Sequence, residues 1–175
     1  EEKTSLIFCP TRLCKQWVEE IEKTYDLKYK LISTLRQFKK LTINDYSNYD
    51  IIILSYNFLS NDNYNKYCLE NENNPVLLHN YKWNRIILDE GHEILNSSNK
   101  KALLIAKEQL NKIKSNYRWI CSGTPYGTLA DFKNIINYIT NLEYSTLQRH
   151  NYNMFLDKLF RKNTKESVKQ EVNIP

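Results

Sequence analysis

Glycine is almost missing from this chain: Gly91, Gly123 and Gly127 are all that occur in 175 residues. They cannot form a Gly-x-Gly-x-x-Gly fingerprint or a Gly-x-x-x-x-Gly-Lys-Ser/Thr loop, so no glycine-rich cradle for a nucleotide's phosphates is present in these residues. Long apolar runs are missing too. None approaches the ~20 residues that span a bilayer, and the opening Glu-Glu-Lys is no secretory signal, so neither a membrane partner nor secretion is expected. Cysteine is present but unpaired in sequence. Cys9, Cys14, Cys68 and Cys121 form no Cys-x-x-Cys pair and have no His beside them, which argues against a zinc site. Cys9 and Cys121 fall in apolar runs and are expected as small buried hydrophobes. Free thiols of this kind suit a reducing, intracellular compartment.

The composition is that of an ordinary folded domain, 41% hydrophobic and 26% charged, and the length suffices for one core. The net charge of +5 permits a polyanionic partner without demanding one. The basic clusters at Lys100, Lys101, Lys107, Lys112, Lys114 and Arg118, and at Arg161, Lys162, Lys165 and Lys169, read on charge alone as solvated helix faces.

Short apolar runs alternate with helical patterns. Strands are expected at Leu6–Cys9, Tyr29–Ile32, Ile51–Leu54, Ile86–Leu88 and Trp119–Cys121. Leu13, Trp17 and Ile21 lie four apart, which predicts a helix over 11–25. Ser97 or Ser98 could cap a helix with a stripe of Ala102, Leu103, Ala106, Leu110 and Ile113. Thr128-Leu129-Ala130-Asp131 reads as a capping box ahead of Leu129, Phe132, Ile135, Ile139 and Leu142. A further helix is expected over about 152–160. Such alternation implies crossover connections and a parallel sheet. Residues 60–80 are rich in Asn and polar, and read as a surface insertion. The expected division is a lobe over 1–148 and a C-terminal helix with lead-out segment over 149–175.

The chemistry sits in the turn at the end of each strand. The successive endings are Pro10-Thr11, Ser55-Tyr56, Asp89-Glu90-Gly91-His92 and Ser122-Gly123-Thr124-Pro125. In a parallel open sheet such ends share one edge, and ligands bind in the crevice there. Two acids directly after a buried strand are costly to desolvate unless paired. A hard cation such as Mg²⁺ suits them; one acid can hold its water shell while the other orients or deprotonates an attacking water. Acids complementing a helix N-terminus, without catalysis, are the alternative for the pair alone.

The order of these segments resembles the first RecA-like lobe of Swi/Snf-type ATPases, a branch of superfamily-two helicases. Leu6 to Trp17 resembles the family's motif Ia, including Gln16-Trp17. Tyr49 to Tyr56 is similar to motif Ib, Arg85 to Asn96 to the DEAH-box-like motif II, and Arg118 to Pro125 to motif III. The resemblance implies an α/β, RecA-like three-layer sandwich with a mainly parallel sheet, lacking the phosphate-loop strand. It also implies ATP-driven tracking along double-stranded DNA. Asp89 would hold Mg²⁺ through water and Glu90 would activate the hydrolytic water, with His92 linking motif II to its neighbours. Ser122, Gly123 and Thr124 would couple nucleotide state to DNA grip. Pro10, Thr11, Arg12, Ser55 and Tyr56 would form the DNA-contacting turns, which position the duplex without reading sequence. Gly91, where Ala is commoner, is similar to the branch that includes DNA-damage-tolerance translocases.

The same resemblance places the phosphate loop and the adenine-contacting Gln motif upstream of Glu1, and arginine fingers on a second RecA-like lobe. Tyr126-Gly127-Thr128 replaces the family's usual residues after motif III. The expected parent is therefore an ATP- and Mg²⁺-dependent chromatin-remodelling or repair ATPase. Its partners would be duplex DNA, its own second lobe and chromatin or repair proteins, in the nucleus or in a viral or cytoplasmic DNA-processing compartment. The alternatives are a degenerate lobe that no longer hydrolyses ATP, and an Asp-Glu-x-His-type RNA helicase lobe.

Overall fold

A computed structural model describes residues 3–24, 26–96, 100–141 and 149–162. The chain divides into two compact units, Glu1–Leu142 and Glu143–Pro175.

In the first unit, β1 (Ser5–Cys9), β2 (Tyr29–Ile32), β3 (Ile51–Ser55), β4 (Lys82–Asp89) and β5 (Lys114–Cys121) form one sheet. Its order is β2-β3-β1-β4-β5. Every pairing is parallel. The central strand β1 is buried along its whole length, as its uninterrupted apolar run requires when both faces are covered. β4 and β5 extend upstream of the expected apolar runs, where Lys82 pairs with Lys114 and Trp83 with Ser115.

A short 3₁₀ turn (Thr11–Leu13) leads from β1 into α1 (Cys14–Thr24). This helix lays Cys14 and Ile21, with Leu13, Trp17 and Val18, on a face made by Ile7, Cys9 and Ile53, with Tyr29, Leu31, Ile51 and Ile87 at its margin. The next residues along each strand point the other way. There Arg118, level with Ile86, donates from Nη1 to the Tyr138 carbonyl of α8 (Leu129–Thr140) at 3.1 Å and from Nη2 to the Ile113 carbonyl at 3.2 Å. Helices thus lie on both faces, the three-layer arrangement expected.

Local signals explain the connections. α2 (Leu35–Phe38) and α3 (Ile43–Asn48) each start with a full capping box, Thr34 with Gln37 and Thr42 with Asp45. α4 (Tyr56–Leu59) is capped by Ser55. Residues 60–80, expected as a surface insertion, are mostly exposed or half-buried but also contribute to the core. They contain α5 (Asp62–Glu70), capped by Asn61, and bury Tyr64, Cys68, Leu77 and Leu78. The dense Asn hides the helical spacing of Tyr64 and Cys68. Phe38, Phe58 and Tyr64 stack edge-on or tilted at 4.6–5.6 Å between centroids. Trp83 is fully buried, and its indole N–H donates to the Leu78 carbonyl at 2.8 Å.

α6 (His92–Leu95) follows the acid pair, and α7 (Lys101–Lys112) precedes β5. The expected caps Ser97 and Ser98 lie outside the described residues; Lys100 stands at the N-cap position without a side-chain cap bond. α7 buries Ala106 and Leu110, with Ile113 just past its end. α8 begins with the expected capping box of Thr128 and Asp131, ends at Asn141 with φ 54, and buries Phe132, Ile135, Ile136 and Tyr138, while Leu129 is exposed. Cys9 is buried as expected. Cys121 is exposed, contrary to expectation, because it ends an edge strand whose neighbour on one side is missing among the described residues.

The second unit contains α9 (Arg149–Leu159), the helix expected over about 152–160. No helix among the described residues is long and apolar enough to cross a membrane.

Candidate nucleotide and nucleic-acid site

Parallel register decides which residues meet. Cys9 is level with Ser55, Phe8 with both Leu54 and Leu88, and Asp89 with Cys121. The endings Pro10-Thr11, Ser55-Tyr56, Asp89-Glu90 and Ser122-Gly123 therefore lie along one edge of the sheet, as the strand pattern predicts.

Asp89 is the last residue of β4 and half-buried. Its Oδ2 accepts the Trp17 indole N–H at 2.8 Å, and its Oδ1 accepts the Glu90 backbone N–H at 3.1 Å. Its carbonyl accepts the Tyr56 hydroxyl at 2.8 Å, which ties the turn after β3 to the end of β4. Tyr56 is buried, and burial pushes its hydroxyl well above the usual tyrosine range, so it remains a neutral donor. Glu90 adopts φ 51, a left-handed conformation that a non-glycine residue rarely takes. The turn that imposes it is held by Gly91 N–H on the Cys121 carbonyl (3.3 Å) and Glu93 N–H on the Glu90 carbonyl (2.9 Å).

The acid turn also grips the turn after β5. His92 Nδ1 and Ser122 Oγ share a hydrogen bond at 2.7 Å, and Glu90 Oε2 lies 3.3 Å from the same ring nitrogen. Asn96 Nδ2 donates to the Pro125 carbonyl at 3.1 Å. Ser122 Oγ accepts the Thr124 N–H at 3.1 Å, while Gly123 faces open space. Toward the turn after β1, Arg12 Nη2 meets Glu93 Oε1 at 2.6 Å. That contact raises the guanidinium pKa further above its ordinary value. Arg12 and Thr11 are exposed, Ser55 is half-exposed, and Pro10 is buried.

Two clefts flank this edge. The acid pair opens into one of about 500 Å³, lined by Leu13, Gln16, Trp17, Glu20, Asp89 and Glu90. Thr11 and Ser55 open into the other, about 660 Å³, whose far wall carries Ser33, Thr34, Lys39, Asn61 and Lys66. Beside the acid cleft the sheet is bare. Tyr117 (58% exposed), Trp119 (56%) and Cys121 stand on the same face as Ile87 and Asp89, level with them in β5. The acids push the Cys121 thiol upward, after burial as the larger cause.

The donor chemistry at Asp89 and Glu90 fits Mg²⁺. Both offer carboxylate oxygens at a cleft wall, the hard ligands this ion takes, and neither is locked in an ion pair with Lys or Arg among the described residues. No cluster of three or more metal-binding side chains occurs among the described residues, so the remaining ligands would be water and phosphate oxygens, the usual arrangement for this ion.

Sequence reasoning places the acids, His92 and Ser122 but misses their supports. Trp17 reads in sequence as one member of an apolar stripe. The available signal is its indole N–H, which seeks a partner when half-buried. The Tyr56–Asp89 and Arg12–Glu93 links join residues 33 and 81 positions apart, and nothing local announces them.

Comparison with known proteins agrees with this geometry. The profile of the SNF2-related domain matches residues 1–173. TATA-binding protein-associated factor BTAF1 of Arabidopsis thaliana is 35% identical over 126 residues, covering 69% of this chain and 5% of its own length. Helicase-like transcription factor of Homo sapiens is 26% identical over 142 residues, covering 78% and 13%. DNA repair protein RAD5 of Candida glabrata is 29% identical over 150 residues, covering 78% and 12%. The chain thus spans a small part of each relative. Among solved structures, the Sulfolobus solfataricus SWI2/SNF2 ATPase core in complex with dsDNA shares the fold, with a TM-score of 0.58 and 24% identity over 79% of this chain and 25% of that one. With an all-parallel sheet whose strand-end turns interlock around an acid pair, and a family profile matched almost end to end, this chain belongs to the SNF2-related domain family.

Proposed function

We propose that these residues form the acid-bearing part of the first lobe of an ATP-dependent motor that tracks along double-stranded DNA, within a chromatin-remodelling or repair ATPase. The observation that carries this reading is the interlocked strand-end edge: Asp89 and Glu90 in one cleft, Thr11 and Ser55 in the other, joined by short bonds between turns. Phosphate loop, adenine contact and second lobe would come from other parts of the parent protein. The bare face at Tyr117, Trp119 and Cys121, beside the acid cleft, is where further structure can complete the nucleotide site.

In this mechanism Asp89, aimed by Trp17, would hold the water shell of Mg²⁺. When bound, that ion would neutralise charge on the β- and γ-phosphates. Glu90 orients an attacking water and accepts its proton at a carboxylate oxygen. Glu90 lines the cleft beside Asp89. His92 and Ser122 carry a change at Glu90 to the turn after β5, and Arg12–Glu93 carries it to the turn after β1. Thr11, Arg12 and Ser55 face the second cleft or solvent and meet strand phosphates, with Pro10 and Tyr56 shaping their turns. Such contacts grip the duplex regardless of sequence and weaken with salt. A protein of this type acts inside the cell, in the nucleus or another DNA-processing compartment.

The test is ATP turnover by the full-length protein with and without duplex DNA. Stimulation by duplex DNA and its loss in Glu90→Gln are expected. Turnover stimulated by RNA alone would point to an RNA helicase lobe, and no turnover at all to a degenerate interaction module; either overturns the reading.

A further inference from the structure

We propose that Cys9 and Cys14 are a redox modification site, forming a reversible intrachain disulfide that closes the turn between β1 and α1. Cys9 ends β1 and Cys14 opens α1, five residues on, across the 3₁₀ turn. Their Sγ atoms lie 3.4 Å apart. A disulfide needs ~2.05 Å, so bonding draws the two sulfurs closer still. Among the described residues, the other contact of Cys14 Sγ is a weak one of 3.9 Å with the Pro10 carbonyl.

The two thiols have distinct roles. Cys14 stands at the N-terminus of an eleven-residue helix. The sulfur–sulfur contact with Cys9 and a backbone N–H favour the Cys14 thiolate, lowering its pKa. Cys9 is fully buried and is the less accessible of the two sulfurs. The oxidant class is a hydroperoxide, small enough to reach a residue only 8% exposed. The Cys14 thiolate attacks one peroxide oxygen, the O–O bond breaks, and with one proton taken up the products are Cys14 sulfenic acid and water. The Cys9 sulfur then attacks the Cys14 sulfur, the S–O bond breaks, and the Cys9 proton leaves with the hydroxide as a second water. Two thiols and one hydrogen peroxide give one disulfide and two waters. A dithiol reductant reverses the bond by exchange.

Exposure alone predicts a different target. Cys121 is the exposed cysteine, but β4 lies between its strand and that of Cys9, so no disulfide joins it to Cys9. Cys68 is buried with its thiol raised and has no cysteine neighbour. Selectivity for the less accessible pair is therefore the mark of this site. The bridge would enclose Pro10, Thr11, Arg12 and Leu13, and so stiffen the turn that carries the Arg12–Glu93 link.

The experiment treats the full-length protein with hydrogen peroxide, alkylates free thiols under native and then denaturing conditions, and maps tryptic peptides. Cleavage after Arg12 separates the cysteines, so the bridge joins the peptides Thr4–Arg12 and Leu13–Lys15. The expected result is a joined pair two hydrogens lighter than the separate peptides, lost on treatment with dithiothreitol. In Cys9→Ser, Cys14 is expected to accumulate sulfenic acid that dimedone traps; in Cys14→Ser, no dimedone adduct forms at Cys9. Oxidation at Cys121 while Cys9 and Cys14 remain alkylatable overturns the proposal, as does a Cys14 disulfide to any other cysteine. The readout is independent of ATP turnover, so it stands or falls separately from the motor reading.

Discussion

A single added methyl at Gly91 tests whether the acid turn is as tightly built as its bonds indicate. Gly91 has φ −57 and ψ −21, a conformation any residue adopts, so backbone geometry does not require glycine there. Removing unfolded-chain freedom with alanine would on its own stabilise by ~0.4–1 kcal/mol. Space is the obstacle. A Cβ at this position would lie 2.7 Å from Ile120 Cγ2 and 3.0 Å from Leu88 Cβ. Leu88 Cβ is fixed to the backbone of β4, and Ile120 Cγ2 can leave only by a χ1 rotation of a β-branched side chain. Overpacking of this kind costs ~1–3 kcal/mol. The overpacking wins, and Gly91→Ala is expected to destabilise β4 and β5 by about 1 kcal/mol. Hydrogen exchange of β4 and β5 amides in the full-length protein reads this as about fivefold faster exchange. Ile120→Ala removes the nearest methyl and leaves the 3.0 Å approach to Leu88 Cβ, so Gly91→Ala on that background should cost clearly less than in the native protein. An equal cost with and without Ile120, or slower exchange in Gly91→Ala alone, would refute the reasoning.

Thr128→Ala removes the side-chain acceptor at the start of α8 and is expected to cost ~1 kcal/mol, seen in the exchange of α8 amides, with Thr128→Ser close to native. Hydrogen bonds from the Thr128 side chain, Gly127 and Thr128 hold the Asp131 carboxyl below its ordinary pKa. Its contribution is therefore complete above the unfolded value of ~3.9 and fades as pH falls through the lower folded value; an acid titration of Asp131→Asn should lack that limb. Trp17→Phe keeps the ring but removes the donor to Asp89 Oδ2. Under the proposed function it should weaken Mg²⁺-nucleotide binding by about fivefold, ~1 kcal/mol, measured by titration of labelled nucleotide.

The fold is legible where a single strand or helix declares itself. β1 is an unbroken apolar run, Thr128 and Asp131 spell a capping box, and Asp89-Glu90 follows a buried strand, so each can be placed without knowing its neighbours. α5 is not legible, because its burial is set by Phe38 and Phe58 rather than by its own Asn-rich composition. Cys121 misleads for the complementary reason: an apolar run looks buried until the sheet order puts it on an edge.

Local pattern thus sufficed for strand identity, the start of α8 and the position of the acid pair at a strand end, since these depend on periodicity and side-chain chemistry within a few residues. The parallel register brought distant turns to one edge and set Trp17 on Asp89 and Arg12 on Glu93. Those contacts depend on which strands are neighbours and which face each side chain takes, and both are settled by packing of the whole core.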